Sequence, residues 1–233
     1  MLTSTVATLH DNSAHGEDNY LVRALGDNAL LDAVMDGVTR RQGGQASQSL
    51  VDALAAAPLT SADDVVAVLE EVNQQLYHIG WGRFLLTTVS AALCLDGKLY
   101  VVGVGDSPVF LIRSASYQQL SSRVRGVFVG ASRQLVNLYR AEVTLEPGDR
   151  LVLATDGVTD NVMSRELVEI VRSTASPDAA AAQISSLIAS RRAGVRLPEP
   201  LAGGFRDDDQ TVIVRFFSAA GEPARSIHLP SPP

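Results

Sequence analysis

Acidic residues in five short turns are the groups of this chain with the clearest capacity for chemistry. Each turn lies at an end of a predicted β-strand, so we expect the carboxylates to gather at one rim of a sheet. There they repel one another unless hard cations lie between them. Oxygen ligands without an accompanying His or Cys pattern are those that Mg²⁺ and Mn²⁺ prefer. The five turns are Gly16-Glu17-Asp18, Met35-Asp36-Gly37, Gly105-Asp106-Ser107, Asp156 to Asp160, and Asp207-Asp208-Asp209.

The elements that must position these turns follow from hydrophobic periodicity. Alternating or short apolar runs predict strands at 2–9, 19–25, 29–35, 87–94, 99–104, 109–113, 136–145, 150–154 and 211–217. Helical spacing predicts helices at 45–57, 61–79, 164–173 and 177–192. Strands and helix pairs that alternate in this order indicate an α+β fold: a four-layer α-β-β-α sandwich of two mainly antiparallel sheets flanked by helix pairs.

Composition narrows the class of protein. The 233 residues are 46% hydrophobic and 19% charged, which is a globular composition. A net charge of −7 argues against a nucleic-acid partner, which normally requires a basic surface. No apolar run approaches the roughly 20 residues that span a bilayer, so we expect no membrane association.

The organisation of the chain also bears on its location. One cysteine, Cys94, excludes an internal disulfide and suggests a reducing compartment. The first residues lack the pattern of a signal peptide, so we expect a cytoplasmic protein. Residues 1–217 read as a single domain. Residues 218–233 contain four prolines and are expected to be a disordered tail.

The acidic turns, taken in order, resemble the motifs of the metal-dependent serine/threonine protein phosphatases, also called type 2C or PPM. The resemblance covers about residues 10–217, and five motifs occur in the family's order. They are Gly16-Glu17-Asp18, Ala33-Val34-Met35-Asp36-Gly37, Thr87-Thr88 with Val102-Gly103-Val104-Gly105-Asp106-Ser107, Pro147-Gly148-Asp149 through Asp156-Gly157-Val158-Thr159-Asp160, and Asp208-Asp209-Gln210-Thr211.

The resemblance implies a role for each matching residue. Asp36 would bridge two Mn²⁺ or Mg²⁺ ions, with the Gly37 carbonyl on one of them. Asp156 and Asp208 would complete the second ion's ligands, which makes Asp36, Asp156 and Asp208 the catalytic set. Elsewhere, Glu17 and Asp18 would hold metal-bound waters, Asp160 would support the shell, and Asp106 would help hold a third, weaker ion. Phosphoserine or phosphothreonine would be hydrolysed by direct attack of a water or hydroxide that bridges the metals.

The phosphate-binding residues depart from the family pattern. Ser13 stands where the family often has an arginine that grips the phosphate, and Val38 stands where some members have a histidine acid. The flap that usually follows Pro108 is shortened to about 121–130. Arg40 and Arg41 could take over phosphate binding, or they could be a solvated pair of surface charges.

Other side chains have simpler interpretations. Cys94 is expected to be a buried core residue rather than a nucleophile, because no anion-binding loop follows it. Trp81 is expected to be a packing anchor. His15 is expected at the surface, although its proximity to Glu17 would also allow proton transfer. Register favours Asp208 over its acidic neighbours as a metal ligand.

We expect a monomer that acts on a phosphorylated protein in a signalling pathway. Two alternatives stay open. The first is a phosphoserine phosphatase of the anti-sigma-antagonist type, from a bacterial stress pathway. The second is a non-catalytic module of the same fold that binds phosphoproteins. The complete set of carboxylates argues against the second alternative.

Overall fold

The computed structural model describes residues 2–121, 124–194, 198, 201 and 203–221. The strands within these residues are β1 (Leu2–Asp11), β2 (Asn19–Gly26), β3 (Ala29–Met35), β4 (Val89–Leu95), β5 (Lys98–Val104), β6 (Val109–Ile112), β7 (Tyr117–Gln119), β8 (Tyr139–Thr144), β9 (Arg150–Ala154) and β10 (Gln210–Ala219). The helices are α1 (Gly43–Ala56), α2 (Ala62–Gly80), α3 (Asp156–Thr159), α4 (Ser164–Ser173) and α5 (Pro177–Arg192). Within the described part of the chain, no helix has both the length and the apolar character needed to cross a membrane.

The strands form two five-stranded sheets. Their orders are β1-β10-β9-β6-β7 and β2-β3-β4-β5-β8, and the paired strands are antiparallel. Helices α1 and α2 pack on the outer face of the second sheet, and α4 and α5 pack on the outer face of the first. A third core, shared by both sheets, fills the space between them. The predicted four-layer α-β-β-α sandwich is confirmed.

Alternation along β3 shows how one strand serves two cores. Leu31, Ala33 and Met35 face the helices, whereas Val34 faces the other sheet. Successive side chains of a strand point to opposite faces of the sheet, so β3 contributes to the core under the helices and to the core between the sheets. Cys94 is buried in the core between the sheets, as predicted.

Several element boundaries differ from the sequence prediction. The short strand β7 and the single-turn helix α3 were not predicted. The expected strand at 136–145 begins only at Tyr139, and Thr87 forms isolated bridges to Gly37 and Val129 rather than beginning β4. The expected domain boundary at residue 217 falls inside β10, which ends at Ala219. The rest of the expected tail, beyond Gly221, lies outside the described residues.

Trp81 was expected to be a packing anchor, and this prediction was wrong. The side chain is 82% exposed, because the last turn of α2 ends at Gly80 and Trp81 adopts a left-handed conformation with φ of 55°. That backbone turn directs the indole away from the core that the preceding helix covers. Ile79, expected on the apolar face of the helix, is also 69% exposed.

A buried ion pair joins the two sheets. Asp32 of β3 accepts two hydrogen bonds from Arg215 of β10, at 2.6 Å from Nε and 2.7 Å from Nη2. Both side chains are buried. Each charge is therefore tolerated in the core only because the other neutralises it.

We predict that Arg215→Met lowers the free energy of unfolding by about 3–5 kcal/mol, because the Asp32 carboxylate is left buried without a partner. The double variant Asp32→Leu/Arg215→Met should recover much of this loss. Denaturant titration at fixed metal concentration measures both. The control is Lys98→Met, which breaks an exposed pair with Glu142. A loss for Arg215→Met no larger than that of the control would contradict the prediction.

Candidate metal centre

Carboxyl groups from both sheets meet at one end of the sandwich. Asp36 follows β3 in one sheet, while Asp156 follows β9 and Asp208 precedes β10 in the other. Asp18 arrives from the loop between β1 and β2. The four are close enough that Asp156, Asp18 and Asp208 each act electrostatically on Asp36. The structure therefore brings together residues that lie up to 190 positions apart in the sequence.

Burial and mutual repulsion raise the pKa values of the central carboxyls. Burial is the largest cause at Asp36, followed by the charges of Asp156 and Asp18, and its pKa lies well above the usual range. Burial raises the pKa of Asp18 to about 7 and that of Asp156 to about 6. Among the described residues, none of these three carboxyls forms a salt bridge. These three carboxyls therefore hinder one another's ionisation, and no arginine or lysine pairs with them among the described residues.

Glycines permit the backbone to bring these groups so close. A Cβ on Gly37 would lie 2.6 Å from the carbonyl oxygen of Glu17, and it would also collide with the backbone of Gly43. A Cβ on Gly157 would collide with the carbonyl oxygen of Asp209. Substituting Gly37 or Gly157 would therefore push apart the segments that carry the carboxylates.

Two threonines hold Asp18 in place. The hydroxyls of Thr155 and Thr211 both donate to its Oδ2, at 2.8 Å each. Thr155 also accepts a hydrogen bond from the backbone N–H of Thr211, at 3.0 Å. Asp18, in the loop between β1 and β2, is thus hydrogen-bonded both to the junction between β9 and α3 and to β10.

Asp209 has a structural role that sequence reasoning did not identify. Its Oδ1 accepts the backbone N–H groups of Ala14 and His15, at 3.1 and 2.8 Å, and its Oδ2 accepts that of Glu17 at 2.7 Å. These hydrogen bonds outweigh the effect of burial and lower the pKa of Asp209. Asp209 thus fixes the loop that carries Glu17 and Asp18, whereas the charge of Asp208 acts on Asp36. Asp208 as the metal ligand stays a prediction.

His15 lies at the centre rather than apart from it. Its Nδ1 is 3.0 Å from Asp208 Oδ1, and this hydrogen bond raises the pKa of the imidazole. Ligand atoms of His15, Asp208 and Asp209 all lie within 4.8 Å of one another. The surface interpretation of His15 is correct for its exposure, but the structure also gives it a direct contact with a predicted ligand.

Two arginines that the sequence analysis missed pair with the outer carboxylates. Arg125 Nε lies 3.3 Å from Asp106, and its Nη2 lies 2.8 Å from Asp160. Arg206 pairs with the other oxygen of Asp160. A guanidinium thus bridges Asp106 and Asp160, where a third ion was expected. The position of Arg125 in the shortened flap was the only sequence signal that pointed to it.

The structure does not bring Arg40 and Arg41 to the carboxylates. Both side chains are exposed, and Arg41 Nη1 donates to the carbonyl of Arg83 at 3.2 Å. Neither forms a salt bridge among the described residues. Phosphate binding by Arg40 and Arg41 stays a hypothesis. Arg125 and Arg206 are the arginines that lie beside the predicted ligands.

The donor set fits hard divalent cations. Every predicted ligand offers oxygen, and no arginine or lysine pairs with the three central carboxyls among the described residues. The buried Oε2 of Glu17 has no hydrogen-bond partner among the described residues. A buried carboxylate oxygen without a partner is costly, and a metal-bound water would satisfy it. These observations agree with Mn²⁺ or Mg²⁺.

Comparison with known proteins identifies the family. Residues 41–216 match the family described as Stage II sporulation protein E (SpoIIE). The match covers well over half of the chain, so the chain belongs to this family. Glu17, Asp18 and Asp36 precede the matched range, and their assignment depends on the motifs and on the geometry above.

A curated relative is named as a type 2C phosphatase. The probable protein phosphatase 2C 1 of Oryza sativa subsp. japonica is 26% identical over 207 residues, which cover 79% of this chain. The chain spans 59% of that relative's length. The resemblance inferred from the five motifs is therefore confirmed at the level of the family.

Solved structures share the fold. PppA, described as a key regulatory component of T6SS in Pseudomonas aeruginosa, superposes with a TM-score of 0.74 at 21% identity, over 92% of this chain and 97% of its own. The catalytic domain of the serine threonine protein phosphatase PstP, solved with two manganese ions, superposes with a TM-score of 0.70 at 21% identity, over 94% of this chain and 100% of its own. These similarities establish the fold.

We predict that the melting temperature of the metal-free protein falls as pH rises from about 5 to about 8. The folded-state pKa values of Asp36, Asp18 and Asp156 are raised, so the stability they contribute is present below their unfolded pKa and lost as pH rises through their folded pKa. Mn²⁺ at about 100 times its dissociation constant should add roughly 2.7 kcal/mol to the free energy of unfolding. This stabilisation should be largest near pH 8, where the carboxylates are ionised. Thermal scans with and without chelator test this. A metal-free melting temperature that stays flat across the range would count against a converging cluster.

We also predict that Arg125→Ala allows one additional Mn²⁺ to bind per chain, because Asp106 and Asp160 lose the guanidinium that bridges them. Titration followed by electron paramagnetic resonance of free Mn²⁺ gives the stoichiometry. Arg140→Ala, which removes an exposed partner of Asp63, is the matched control. Equal stoichiometry in the wild type, the variant and the control would refute this assignment.

Proposed function

We propose that this chain is a metal-dependent protein phosphatase that hydrolyses phosphoserine and phosphothreonine. The observation that carries the proposal is the convergence of Asp36, Asp156 and Asp208 from both sheets; among the described residues, neither Asp36 nor Asp156 forms a salt bridge. Membership of the SpoIIE family and the similarity to named type 2C phosphatases support the same activity. We propose Mn²⁺ or Mg²⁺ as the cofactor, as in the PstP structure with its two manganese ions.

The predicted ligands have different proposed roles. Asp36 is the central ligand, and its backbone is held by Thr88, whose N–H donates to the Asp36 carbonyl at 2.8 Å. Asp156 and Asp208 approach from the opposite sheet. When bound, the two ions would supply an activated water as the nucleophile and would offset charge on the phosphoryl oxygens. Glu17 and Asp18 would orient water, since one oxygen of Glu17 is buried without a partner.

Arg125 and Arg206 are the positive groups at the rim of the centre. Each is largely exposed on its outer side, so each could contact a phosphoryl group while it keeps a carboxylate partner. In a chain with Ser13 in place of the family's arginine, these two side chains are the best candidates for phosphate contacts. Arginine suits this role because its planar fork donates parallel hydrogen bonds.

The substrate class beyond phosphorylated protein stays a prediction. The alternative of an anti-sigma-antagonist phosphatase predicts strong preference for one phosphoserine protein over generic phosphopeptides. The alternative of a non-catalytic module predicts binding without turnover. Cytoplasmic location and a role in signalling are likewise proposals.

We predict that hydrolysis of an aryl phosphate requires Mn²⁺ or Mg²⁺ and is lost in chelator. Asp36→Asn should lower kcat/KM by about 10²–10³-fold, because a ligand central to both ions contributes several kcal/mol of charge stabilisation. The matched control is Asp63→Asn, which changes an exposed carboxylate in the first turn of α2 that pairs with Arg140. Retention of wild-type turnover by Asp36→Asn would overturn the assignment. Phosphopeptide binding with no turnover in the wild type would favour the non-catalytic module.

A further inference from the structure

Three large hydrophobic side chains are exposed together where helix α2 ends. Ile79 is 69% exposed, Trp81 82% and Phe84 46%. They lie within six consecutive residues of one turn, in which the N–H groups of Arg83 and Phe84 both donate to the carbonyl of Gly80 at 3.0 Å. Large apolar groups exposed this close together in one turn favour an interaction surface.

The turn that presents these side chains is fixed. Trp81 and Gly82 both have left-handed φ angles, and a Cβ on Gly82 would lie 2.7 Å from the carbonyl oxygen of Ala131. The turn is therefore packed against its neighbours and has little room to fold inward. An indole held outward by a fixed backbone is available to a partner at little entropic cost.

The same segment runs directly to the metal centre. Leu85 N–H donates to the carbonyl of Arg41 at 2.6 Å, and Thr88 N–H donates to that of Asp36 at 2.8 Å. The chain from Trp81 to Thr88 thus lies beside the loop from Asp36 to Arg41. Seven extended residues span at most about 25 Å, so Trp81 lies within that distance of Thr88, which contacts Asp36. A short peptide can reach both places.

In the described part of the chain, arginines without salt-bridge partners lie in the same turn as these hydrophobic side chains and in the loop beside it. Arg40, Arg41 and Arg83 are exposed, and within the described residues none of them forms a salt bridge. Arg41 and Arg83 are adjacent, because Arg41 Nη1 donates to the Arg83 carbonyl. Three arginines without an acidic partner among the residues described, near an exposed tryptophan, are unexpected in a chain of net charge −7. They favour a partner that is acidic as well as apolar.

We propose that Ile79, Trp81 and Phe84, together with Arg40, Arg41 and Arg83, form a docking surface for the substrate. We call it the Trp81 surface. Its occupant is a segment of the phosphoprotein that carries acidic residues and one large apolar side chain, a few residues from the phosphoserine. This inference rests on the proposed function, and it gives Arg40 and Arg41 a role in binding the segment rather than the phosphate.

Charge argues against a second copy of this chain as the occupant. In a symmetric dimer the same patch meets itself. The three arginines of one copy would then lie close to those of the other, and like charges repel. An acidic segment avoids this repulsion, and self-association becomes an outcome of the test.

The chain provides its own probe, because Trp81 is its only tryptophan. The experiment titrates the Mn²⁺-loaded protein with a peptide that contains a non-hydrolysable phosphonate analogue of phosphoserine, several glutamates and one leucine. We expect a blue shift of the emission and reduced quenching by acrylamide. A peptide with lysines in place of the glutamates should produce neither change. The absence of any change with the acidic peptide would overturn the proposal.

Kinetics give a second readout. For Trp81→Ala and Arg83→Glu, the ratio of kcat/KM on the acidic phosphopeptide to kcat/KM on an aryl phosphate should fall about tenfold, as expected for the loss of an anchor residue. Tyr117→Ala, which removes an exposed aromatic ring on β7, is the matched control and should leave the ratio unchanged. An unchanged ratio in both docking variants would overturn the proposal.

These outcomes distinguish a failure of the proposed phosphatase activity from a failure of the Trp81 surface. If the wild type hydrolyses neither substrate, the proposed function fails, while the fluorescence titration still tests docking. If the aryl phosphate is hydrolysed but fluorescence and ratio do not respond, only the Trp81 surface is refuted. A blue shift that follows protein concentration without peptide identifies a second copy as the occupant and also overturns the proposal.

Discussion

Repulsion among buried carboxylates at one end of the sandwich is the constraint on which the rest of the structure depends. Asp36 and Asp156 come from different sheets, so the repulsion acts across the interface between them and opposes the packing of the two layers. Folding without metal therefore depends on contacts elsewhere that hold the sheets together. The core between the sheets and the buried pair of Asp32 with Arg215 supply those contacts.

The carboxylates at the rim and at the centre have different surroundings. At the rim, Asp106 and Asp160 pair with guanidinium groups from Arg125 and Arg206. At the centre, burial and the charges of Asp156, Asp18 and Asp208 raise the pKa of Asp36, and among the described residues no salt bridge offsets them. A side-chain cation would hold the central groups together but would leave no room for a metal. Under the proposed function, this division places arginines where they can contact substrate and leaves the centre for divalent ions.

The sequence predicted those parts of the protein that depend on local pattern. Period-two alternation and the helical spacing of α2 located most elements, and the acidic turns located Asp36 and Asp156. The missed features depend on contacts distant in sequence. Strand β7 exists because β6 lies beside it, and Arg125 matters because Asp160 is 35 positions away in the chain but within hydrogen-bonding distance. Trp81 was misassigned because its exposure follows from one left-handed residue, which no hydrophobic periodicity encodes.

Asp209 shows how a charge can stabilise a site that already has too much negative charge. An asparagine at this position would offer one acceptor oxygen, yet the side chain must accept N–H groups on both of its oxygens, from His15 on one and Glu17 on the other. Only a carboxylate meets both requirements. Because charge-assisted hydrogen bonds to backbone N–H groups stabilise the ionised form, Asp209 stays charged next to Asp208 and holds the loop of Glu17 in place. The extra charge therefore contributes to the order of the centre.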